Sequence, residues 1–217
     1  MYLRYYKILS KTVNPLYTQS IPYTMGKLTI TETPISGLYV VETDAFLDHR
    51  GAFARWFCEG EMKEILGNRH IKNVNFSRTV KKGSIRGMHF QKPPYAEMKM
   101  VRCIRGKILD VVVDIRKDSP TYLQHYAVEL SAENMKLFVI PEGFAHGFQS
   151  LEDNSEIMYL VTEFYSPEAE AGLRFSDPTL AINWPLEITD TSAKDAAHPL
   201  VADGFEPLDV SAYQEQK

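Results

Sequence analysis

Short runs of β-branched and aromatic residues recur along most of the chain, and they constrain its fold more than any other feature. They are "LTITE" (28–32), "LYVVET" (38–43), "MVRCIRG" (100–106), "ILDVVVDIR" (108–116), "QHYAVEL" (124–130), "KLFVIPEG" (136–143) and "EIMYLVTEFY" (156–165). Turn-forming stretches such as "KKG", "KDSPT" and "LEDNS" separate them. Repeated short strands without helical periods between them predict an all-β sandwich or barrel, with a jelly roll as the favoured form.

The remaining segments carry little strand pattern. Residues 59–66, "EGEMKEIL", are the best helix candidate, which we expect to be short and peripheral. Residues 1–24 show no clean period and are predicted to be a tail or an extended start. The strand pattern stops after Pro185, so residues 188–200, "ITDTSAKDAAHPL", should either pack across the sandwich or stay loose.

Charge and composition exclude several function classes. The chain has 217 residues, a formal net charge of −4 and a pI near 5.9, which argues against a nucleic-acid surface held by bulk charge. No apolar run approaches the ~20 residues of a membrane-spanning helix, and we expect a cytoplasmic protein. Cys58 and Cys103 lack CxxC spacing and are predicted to be buried free thiols.

Two of the six histidines lie in glycine-rich strand boundaries. His89 belongs to "RGMHFQ" (86–91) and His146 to "IPEGFAHGF" (140–148). Glycine at such a boundary often permits close approach of a ligand or another backbone, so both histidines are candidates for a site. The other four are expected to be structural or surface residues: His49, His70, His125 and His198.

Two chemistries could use these histidines. A metal site of the cupin type would draw on His89, Gln91, Glu97 and His146, but an amide is a poor ligand for such a metal and Lys99 adds a positive charge next to Glu97. The alternative is metal-free proton transfer, with a histidine as base, an ammonium group stabilising an enolate and a tyrosine returning a proton. Composition alone does not select between them.

Several ordered motifs resemble the dTDP-4-dehydrorhamnose 3,5-epimerase family, whose members are cupins that act without a metal. They are "DHRGAF" (48–53), "GSIRGMHFQKPP" (83–94), "KMVRCIRGKILDVVVDIRKDSPTY" (99–122), "ELSAENMKLFVIPEGFAHGF" (129–148), "YSPEAEAGLRFSDP" (165–178), "INWP" (182–185) and "SAKDAAHPL" (192–200). The resemblance implies a cupin-type jelly roll over residues 25–203, a C-terminal tail at 204–217, and no cofactor or metal.

The resemblance also implies a set of catalytic residues. His89 matches the family's catalytic base, and Asp195 in "SAKD" matches the carboxylate that orients it. Lys99 matches the lysine that stabilises the enolate oxygen, and Tyr159 matches the tyrosine that donates a proton from the opposite face. Inversion needs two faces, because a base that returned its own proton would restore the starting configuration.

Further positions match the family's substrate-binding residues. Arg50 and Arg86 correspond to diphosphate-binding arginines, and a guanidinium group suits phosphate oxygens. Tyr165 matches an aromatic residue that stacks on the base. The other matching positions are Asn73, Asn75, His146, Glu170 and Lys194.

The chain departs from the family pattern at several of these motifs. Ala52 and Arg55 stand where a phenylalanine and a binding glutamate are usual, so Arg55 reverses a charge at a candidate contact. The other departures are Asn73, Glu97, Met98 and Phe175. The residues that would transfer protons are all retained, whereas the contacts that would select the nucleotide and sugar are altered.

The function implied is inversion of carbons 3 and 5 of a nucleotide-linked 4-keto-6-deoxyhexose, with dTDP-4-dehydro-6-deoxy-D-glucose as the expected substrate. A mono-epimerase acting on another nucleotide-linked 4-keto sugar is the alternative, followed by a metal-dependent cupin oxygenase and a non-catalytic sugar-binding cupin. The resemblance further implies a homodimer, in which an exchanged early strand would place Arg50 in its neighbour's site.

Overall fold

The structure is a computed structural model that describes residues 27–214. Its strands are β1 (Leu28–Glu32), β2 (Tyr39–Thr43), β3 (Phe46–Asp48), β4 (Gly51–Phe53), β5 (Asn73–Thr79), β6 (Ile85–Gln91), β7 (Lys99–Arg105), β8 (Lys107–Asp114), β9 (His125–Ser131), β10 (Leu137–Ile140), β11 (Phe144–Ser150), β12 (Ser155–Val161) and β13 (Glu170–Gly172). Its helices are α1 (Lys63–Leu66), α2 (Ala193–Ala196) and α3 (Ser211–Gln214), with a 3₁₀ turn at Val201–Asp203. Within these residues no helix is long and apolar enough to cross a membrane.

Two antiparallel sheets make up the fold. The first is six-stranded in the order β1-β2-β10-β7-β12-β5, and the second is five-stranded in the order β13-β6-β11-β8-β9. Strands β3 and β4 form a separate hairpin. Neighbours in sequence often lie apart in the sheets, as in a jelly roll, and the predicted all-β jelly roll with short helices is confirmed.

The core lies between the two sheets because alternate side chains of each strand point inward. Val101 and Cys103 of β7 pack there with Val112 of β8 and Phe148 of β11. Cys103 is a buried free thiol, as expected, and burial raises its pKa to about 11. Cys58 is also free but only half-buried.

Residues 204–213, which belong to the predicted tail at 204–217, pack against the rest of the domain. Leu208 and Val210 are buried in an apolar cluster on the outer side of the five-stranded sheet. The Leu208 N–H donates to the Ile115 carbonyl at 2.7 Å, and the Tyr213 hydroxyl donates to the Pro94 carbonyl at 2.6 Å. Leu208 and Val210 occupy alternate positions, so their side chains lie on one face of this segment, and that face is buried. The predicted tail at 1–24 lies outside the described residues.

The helix predicted at 59–66 is shorter in the structure. Only the single turn Lys63–Leu66 is helical, and the residues before it form turns that include Gly60. Met62, Ile65 and Leu66 are buried against the outer face of the six-stranded sheet. The apolar residues thus mark the buried face correctly, but the glycine favours a turn over a longer helix.

A buried ion pair joins the loop between α1 and β5 to the β10–β11 turn, and it yields a stability prediction. Arg69 Nε lies 2.8 Å from Glu142 Oε1, and the two side chains are only 6% and 4% exposed. The terminal nitrogen Nη2 of Arg69 also donates to the Tyr213 carbonyl at 3.2 Å. Arg69→Ala would leave a buried carboxylate unpaired, and we expect a loss of about 3–5 kcal/mol in the free energy of unfolding.

Urea unfolding followed by circular dichroism measures this loss. The matched control is Lys107→Ala, which breaks the partly exposed pair between Lys107 and Glu129 at 3.3 Å. We expect the control to change the unfolding free energy by less than about 1 kcal/mol. Equal effects of the two substitutions would contradict a special role for the buried pair.

Candidate active site

An open cavity of about 630 Å³ lies between the two sheets and the late segment at residues 190–195. Strands β5 and β12 of one sheet line it, together with β6 and β11 of the other. It contains eight of the residues predicted for the site, namely Arg86, His89, Lys99, His146, Tyr159, Glu170, Lys194 and Asp195. The fold therefore brings together residues from six separate segments of the sequence.

His89 and Asp195 form a hydrogen-bonded pair, although 106 positions separate them. His89 Nε2 lies 2.7 Å from Asp195 Oδ1, and the Gly87 N–H donates to Asp195 Oδ2 at 3.1 Å. Burial alone would raise the pKa of Asp195, but the hydrogen bonds and the nearby imidazole hold it below its ordinary value. A buried carboxylate with these partners fixes the orientation of the His89 ring.

Local capping brings Asp195 to this position. The Ser192 side chain accepts from the Asp195 N–H at 3.0 Å and caps the single-turn helix α2. The Ile85 N–H donates to the Asp190 carbonyl at 2.9 Å, which ties the late segment to the start of β6. The segment predicted either to cross the sandwich or to stay loose therefore crosses it.

A bulge in β6 lets Arg86 and His89 share the cavity. His89 pairs with His146 and Arg86 with Phe148, so three steps along β6 match two along β11. Gly87 lies at this bulge with φ +125°, and an added Cβ would approach Gly147 Cα to 2.5 Å. Regular alternation would put Arg86 and His89 on opposite faces, and the extra residue removes that restriction.

Lys99 and Tyr159 face the cavity from the six-stranded sheet, opposite His89. Lys99 Nζ lies 3.3 Å from Glu97 Oε1, and both side chains are mostly buried. Burial and the negative charge of Glu97 raise the pKa of Tyr159, against the opposing effect of Arg86. The phenol therefore keeps its proton at neutral pH. The imidazole of His89 and this phenol lie on opposite walls of one cavity.

A second histidine–carboxylate pair lies deeper in the fold. His146 Nε2 lies 2.8 Å from Oδ1 of Asp110, which is fully buried on β8. Burial raises the pKa of Asp110, while His146 and Lys99 oppose that shift. Asp110 is not among the residues predicted for the site, yet a carboxylate inside the apolar run "ILDVVVDIR" is an available signal, because a buried charge needs a partner.

Strand β5 supplies further lining residues that the sequence analysis missed. Ser77 and Thr79 line the cavity, and Arg86 Nε donates to Thr79 Oγ1 at 3.1 Å. They continue an alternating series, "N-V-N-F-S-R-T", in which the Asn, Ser and Thr residues are the less exposed members. That period-two pattern could have identified them.

A charged cluster forms at the rim. Lys194 Nζ lies 2.6 Å from Glu170 Oε2, and the exposed Tyr165 hydroxyl donates to the same oxygen at 2.6 Å. These hydrogen bonds lower the pKa of Glu170 despite its partial burial. Tyr165 thus reaches the site through Glu170 and is not itself one of the lining residues.

Four of the predicted residues lie elsewhere in this chain. Arg50 is at the turn of the β3–β4 hairpin, exposed and paired with Asp48 at 2.6 Å. Arg55 pairs with Glu61 outside the cavity. Asn73 and Asn75 are on β5, where Asn75 is the register partner of Tyr159, but neither lines the cavity.

The cupin-type donor set does not fit a metal. The Gln91 amide donates to the Tyr95 and Phe164 carbonyls and accepts from the Ser166 N–H at 2.7 Å, so its polar atoms are occupied. Glu97 pairs with Lys99, and His146 pairs with Asp110. We therefore derive no metal chemistry from these four residues.

His198 differs from its expected role as an isolated structural or surface residue. Its ring packs edge-on against His89, with centroids 5.6 Å apart and an interplanar angle of 74°. Burial and the neighbouring His89 lower its pKa. An uncharged imidazole therefore lies directly behind the His89–Asp195 pair.

Comparison with known proteins agrees with this geometry. The family model described as dTDP-4-dehydrorhamnose 3,5-epimerase matches residues 32–203. The enzyme of that name from Salmonella typhimurium is 41% identical over 174 residues, covering 79% of this chain and 94% of that protein. A Legionella pneumophila dTDP-6-deoxy-D-glucose-3,5-epimerase, solved in complex with dTDP-4-keto-L-rhamnose, is 40% identical with a TM-score of 0.77, covering 81% of this chain and 94% of its own.

A related activity occurs among the structural neighbours. A 3′-monoepimerase from Streptomyces bikiniensis, solved with dTDP-quinovose, is 32% identical with a TM-score of 0.78, covering 85% of this chain and 96% of its own. The family match spans most of the chain and includes every strand that lines the cavity. This protein therefore belongs to the dTDP-4-dehydrorhamnose 3,5-epimerase family.

Proposed function

We propose that this protein is an epimerase that inverts carbons 3 and 5 of dTDP-4-dehydro-6-deoxy-D-glucose. The observation that carries the proposal is the placement of the His89–Asp195 pair and the Tyr159 phenol on opposite walls of one cavity. Membership of the family supports the same reaction and substrate class.

Proton abstraction is assigned to His89. The 4-keto group acidifies the hydrogens on both neighbouring carbons, so one carbonyl serves two inversions. The His89 imidazole accepts the proton, and the Asp195 carboxylate at 2.7 Å stabilises the resulting imidazolium and holds the ring in place. Lys99 supplies an ammonium group for the enolate oxygen that develops at carbon 4.

The return of a proton is assigned to Tyr159. Inversion requires that the new proton arrive on the face opposite to the one from which the first was removed. The raised pKa of Tyr159 keeps the phenol protonated and able to donate near neutral pH. The nucleotide diphosphate would contact Arg86 at the cavity wall, where a guanidinium group can bind two phosphate oxygens.

The remaining assigned contacts surround this centre. Glu170 and Lys194 at the rim would contact the nucleotide portion, and Tyr165 would stack on the base after leaving Glu170. His146 would contact the sugar, held by Asp110. Asn73 and Asn75 remain predicted contacts from β5, while the ion pair of Arg55 with Glu61 argues against a role for Arg55 in the chain's own cavity.

Deuterium incorporation tests the proposed function and separates it from its alternatives. In heavy water, mass spectrometry should show two deuterons entering dTDP-4-dehydro-6-deoxy-D-glucose, one at each inverted carbon. A single deuteron would instead establish a mono-epimerase, the alternative supported by the similarity to the Streptomyces bikiniensis protein. No incorporation would overturn catalysis and leave a sugar-binding protein.

A homodimer is part of the proposal, and exposed apolar side chains support it. Phe46, Leu47 and Phe53 on the β3–β4 hairpin are exposed, as are Val74 and Phe76 on β5. Strand β5 is an edge of the six-stranded sheet, and exposed apolar edges are typical of association surfaces. Arg50 lies at the tip of the hairpin, so a paired copy could receive it in its cavity.

Breaking this surface should give a monomer. Phe76→Asp places a charge on the exposed face of β5, and we expect size-exclusion chromatography with light scattering to show a shift from dimer to monomer. Ile188→Asp, at another exposed apolar residue, is the control and should leave the dimer intact. A wild-type protein that is monomeric would contradict the dimer. The cytoplasmic location remains a prediction from the sequence.

A further inference from the structure

The structure brings together three potential metal ligands: His89 and Asp195 line the cavity, and His198 packs behind His89. His89, Asp195 and His198 each present one ligand atom within 4.8 Å of the other two. We propose that these residues bind a single transition-metal ion such as Zn²⁺ or Co²⁺, which competes with the proton shared by His89 and Asp195. The site differs from the cupin-type set rejected above, since it includes neither Gln91, Glu97 nor His146.

The distances suit one small ion after slight adjustment. Asp195 Oδ1 lies 2.7 Å from His89 Nε2 and 3.9 Å from His198 Nε2. Zinc binds imidazole nitrogen and carboxylate oxygen at about 2.0–2.2 Å, and two histidines with one carboxylate are a recurrent ligand set. The Gly87 N–H engages Asp195 Oδ2, which leaves Oδ1 as the oxygen available to the ion.

His198 has the properties of an unused ligand. Its Nε2 is buried and has no hydrogen-bond partner among residues 27–214. A buried polar atom without a partner is uncommon and calls for an explanation. A metal ion between this nitrogen and Asp195 would satisfy it.

The ring of His198 is held in position by its surroundings. An added Cβ on Gly172 would lie 2.4 to 2.6 Å from three ring atoms, so the strand backbone packs over the face of the ring and leaves the in-plane lone pair free. Arg174 Nε donates to the His198 carbonyl at 2.9 Å and fixes the backbone. Little reorganisation would therefore accompany binding.

The site opens to the cavity through His89, and Asp195 supplies its negative charge, although Arg86 and Lys99 also line the cavity. Glu170 and Lys194 neutralise each other at the rim, which leaves Asp195 as the anionic group between two imidazoles. His89 is 33% exposed toward the cavity, so an ion can enter and keep an open coordination position for water. Imidazole donors select borderline transition metals over Mg²⁺ and Ca²⁺.

Metal binding would block the base. The lone pair of His89 that accepts a proton in the proposed reaction would be donated to the ion, so bound metal should inhibit the exchange of deuterium. This consequence rests on the proposed function, whereas metal binding itself does not. The binding experiment therefore uses no turnover measurement.

The test uses the full chain after treatment with a chelator and its removal by gel filtration. CoCl₂ is titrated while the visible d–d absorption is recorded, and ZnCl₂ is titrated by calorimetry. We compare the wild type with His198→Phe, which keeps an aromatic ring but removes the ligand, and with His198→Gln as a second variant. His70→Gln, at an exposed histidine outside the cavity, is the matched control. Thermal melting by circular dichroism establishes that each variant is folded.

We expect the wild type to bind one ion per chain and the control to bind it with unchanged affinity. Both His198 variants should bind the ion at least tenfold more weakly, since even outer-shell substitutions weaken metal sites by about 10–100-fold. No bound ion, equal binding by the His198 variants, or loss in the control would overturn the site. A protein that binds Co²⁺ but also fails to exchange deuterium when it is free of metal contradicts the proposed reaction and supports the metal site. Deuterium exchange inhibited by Zn²⁺ and restored by chelator would support both.

Discussion

His89→Ala is expected to abolish deuterium exchange into the 4-keto sugar while leaving the affinity for dTDP within about threefold of the wild type. The imidazole is the base of the proposed reaction, and general-base catalysis contributes typically ~10²–10⁴-fold in rate. Its partner Asp195 is a buried carboxylate that would remain beside an empty space and cannot reach the same hydrogen. Heavy-water incubation with mass spectrometry measures exchange, and calorimetry measures binding of dTDP.

The control for this substitution is His70→Ala, at an exposed histidine, which should keep full exchange. Retained turnover in His89→Ala would refute the assignment of the base. Loss of dTDP binding to the same extent as loss of exchange would instead indicate that His89 acts mainly in holding the substrate. The structure argues against the latter, because Arg86 and the rim residues supply separate charged groups for the nucleotide.

Tyr159→Phe is expected to separate exchange from inversion. Abstraction by His89 continues in this variant, so deuterium still enters from the same face, but the proton from the opposite wall is lost. We expect the rate of epimerisation to fall by about 10²-fold or more, while exchange falls far less. Mass spectrometry measures the label, and NMR of the recovered sugar measures its configuration.

Tyr95→Phe, at an exposed tyrosine, serves as the comparison and should have wild-type rates of both processes. A parallel loss of exchange and epimerisation in Tyr159→Phe would contradict the two-wall mechanism. Inversion at the wild-type rate would show that another group or water donates the proton. Because the phenol lines the cavity and removal of one oxygen changes little volume, a general loss of folding is not expected.

The strand pattern identified the fold because alternation and turn residues act locally. Each run such as "ILDVVVDIR" has a sequence that suits a strand between two packed layers, and the structure places it there as β8. Local pattern was less informative for the helix predicted at 59–66, because Gly60 favours a turn and only one helical turn, Lys63–Leu66, forms. Local pattern also does not reveal how residues 204–213 pack, since burial of Leu208 and Val210 depends on a surface that only the folded sheet provides.

The site residues also fall into those that local sequence can identify and those that it cannot. Arg86, His89 and His146 could be singled out from glycine-rich motifs and Lys99 from its own local stretch, while Asp195 and Tyr159 came from resemblance to the family. The role of His198 could not be found in either way, because its neighbours Gly172 and His89 are distant in sequence and meet it only across β6 and β13.

By itself, the sequence determined the all-β architecture, the inward-facing residues of each strand and the chemical groups available for proton transfer, because these depend on period and residue type. The tertiary structure decided which groups meet. It set the imidazole and the phenol on opposite walls, brought a carboxylate from the late segment to within 2.7 Å of His89, and kept Arg50 out of the chain's own cavity. Such distances depend on strand order, on the bulge at Gly87 and on capping by Ser192, which act between segments far apart in the chain.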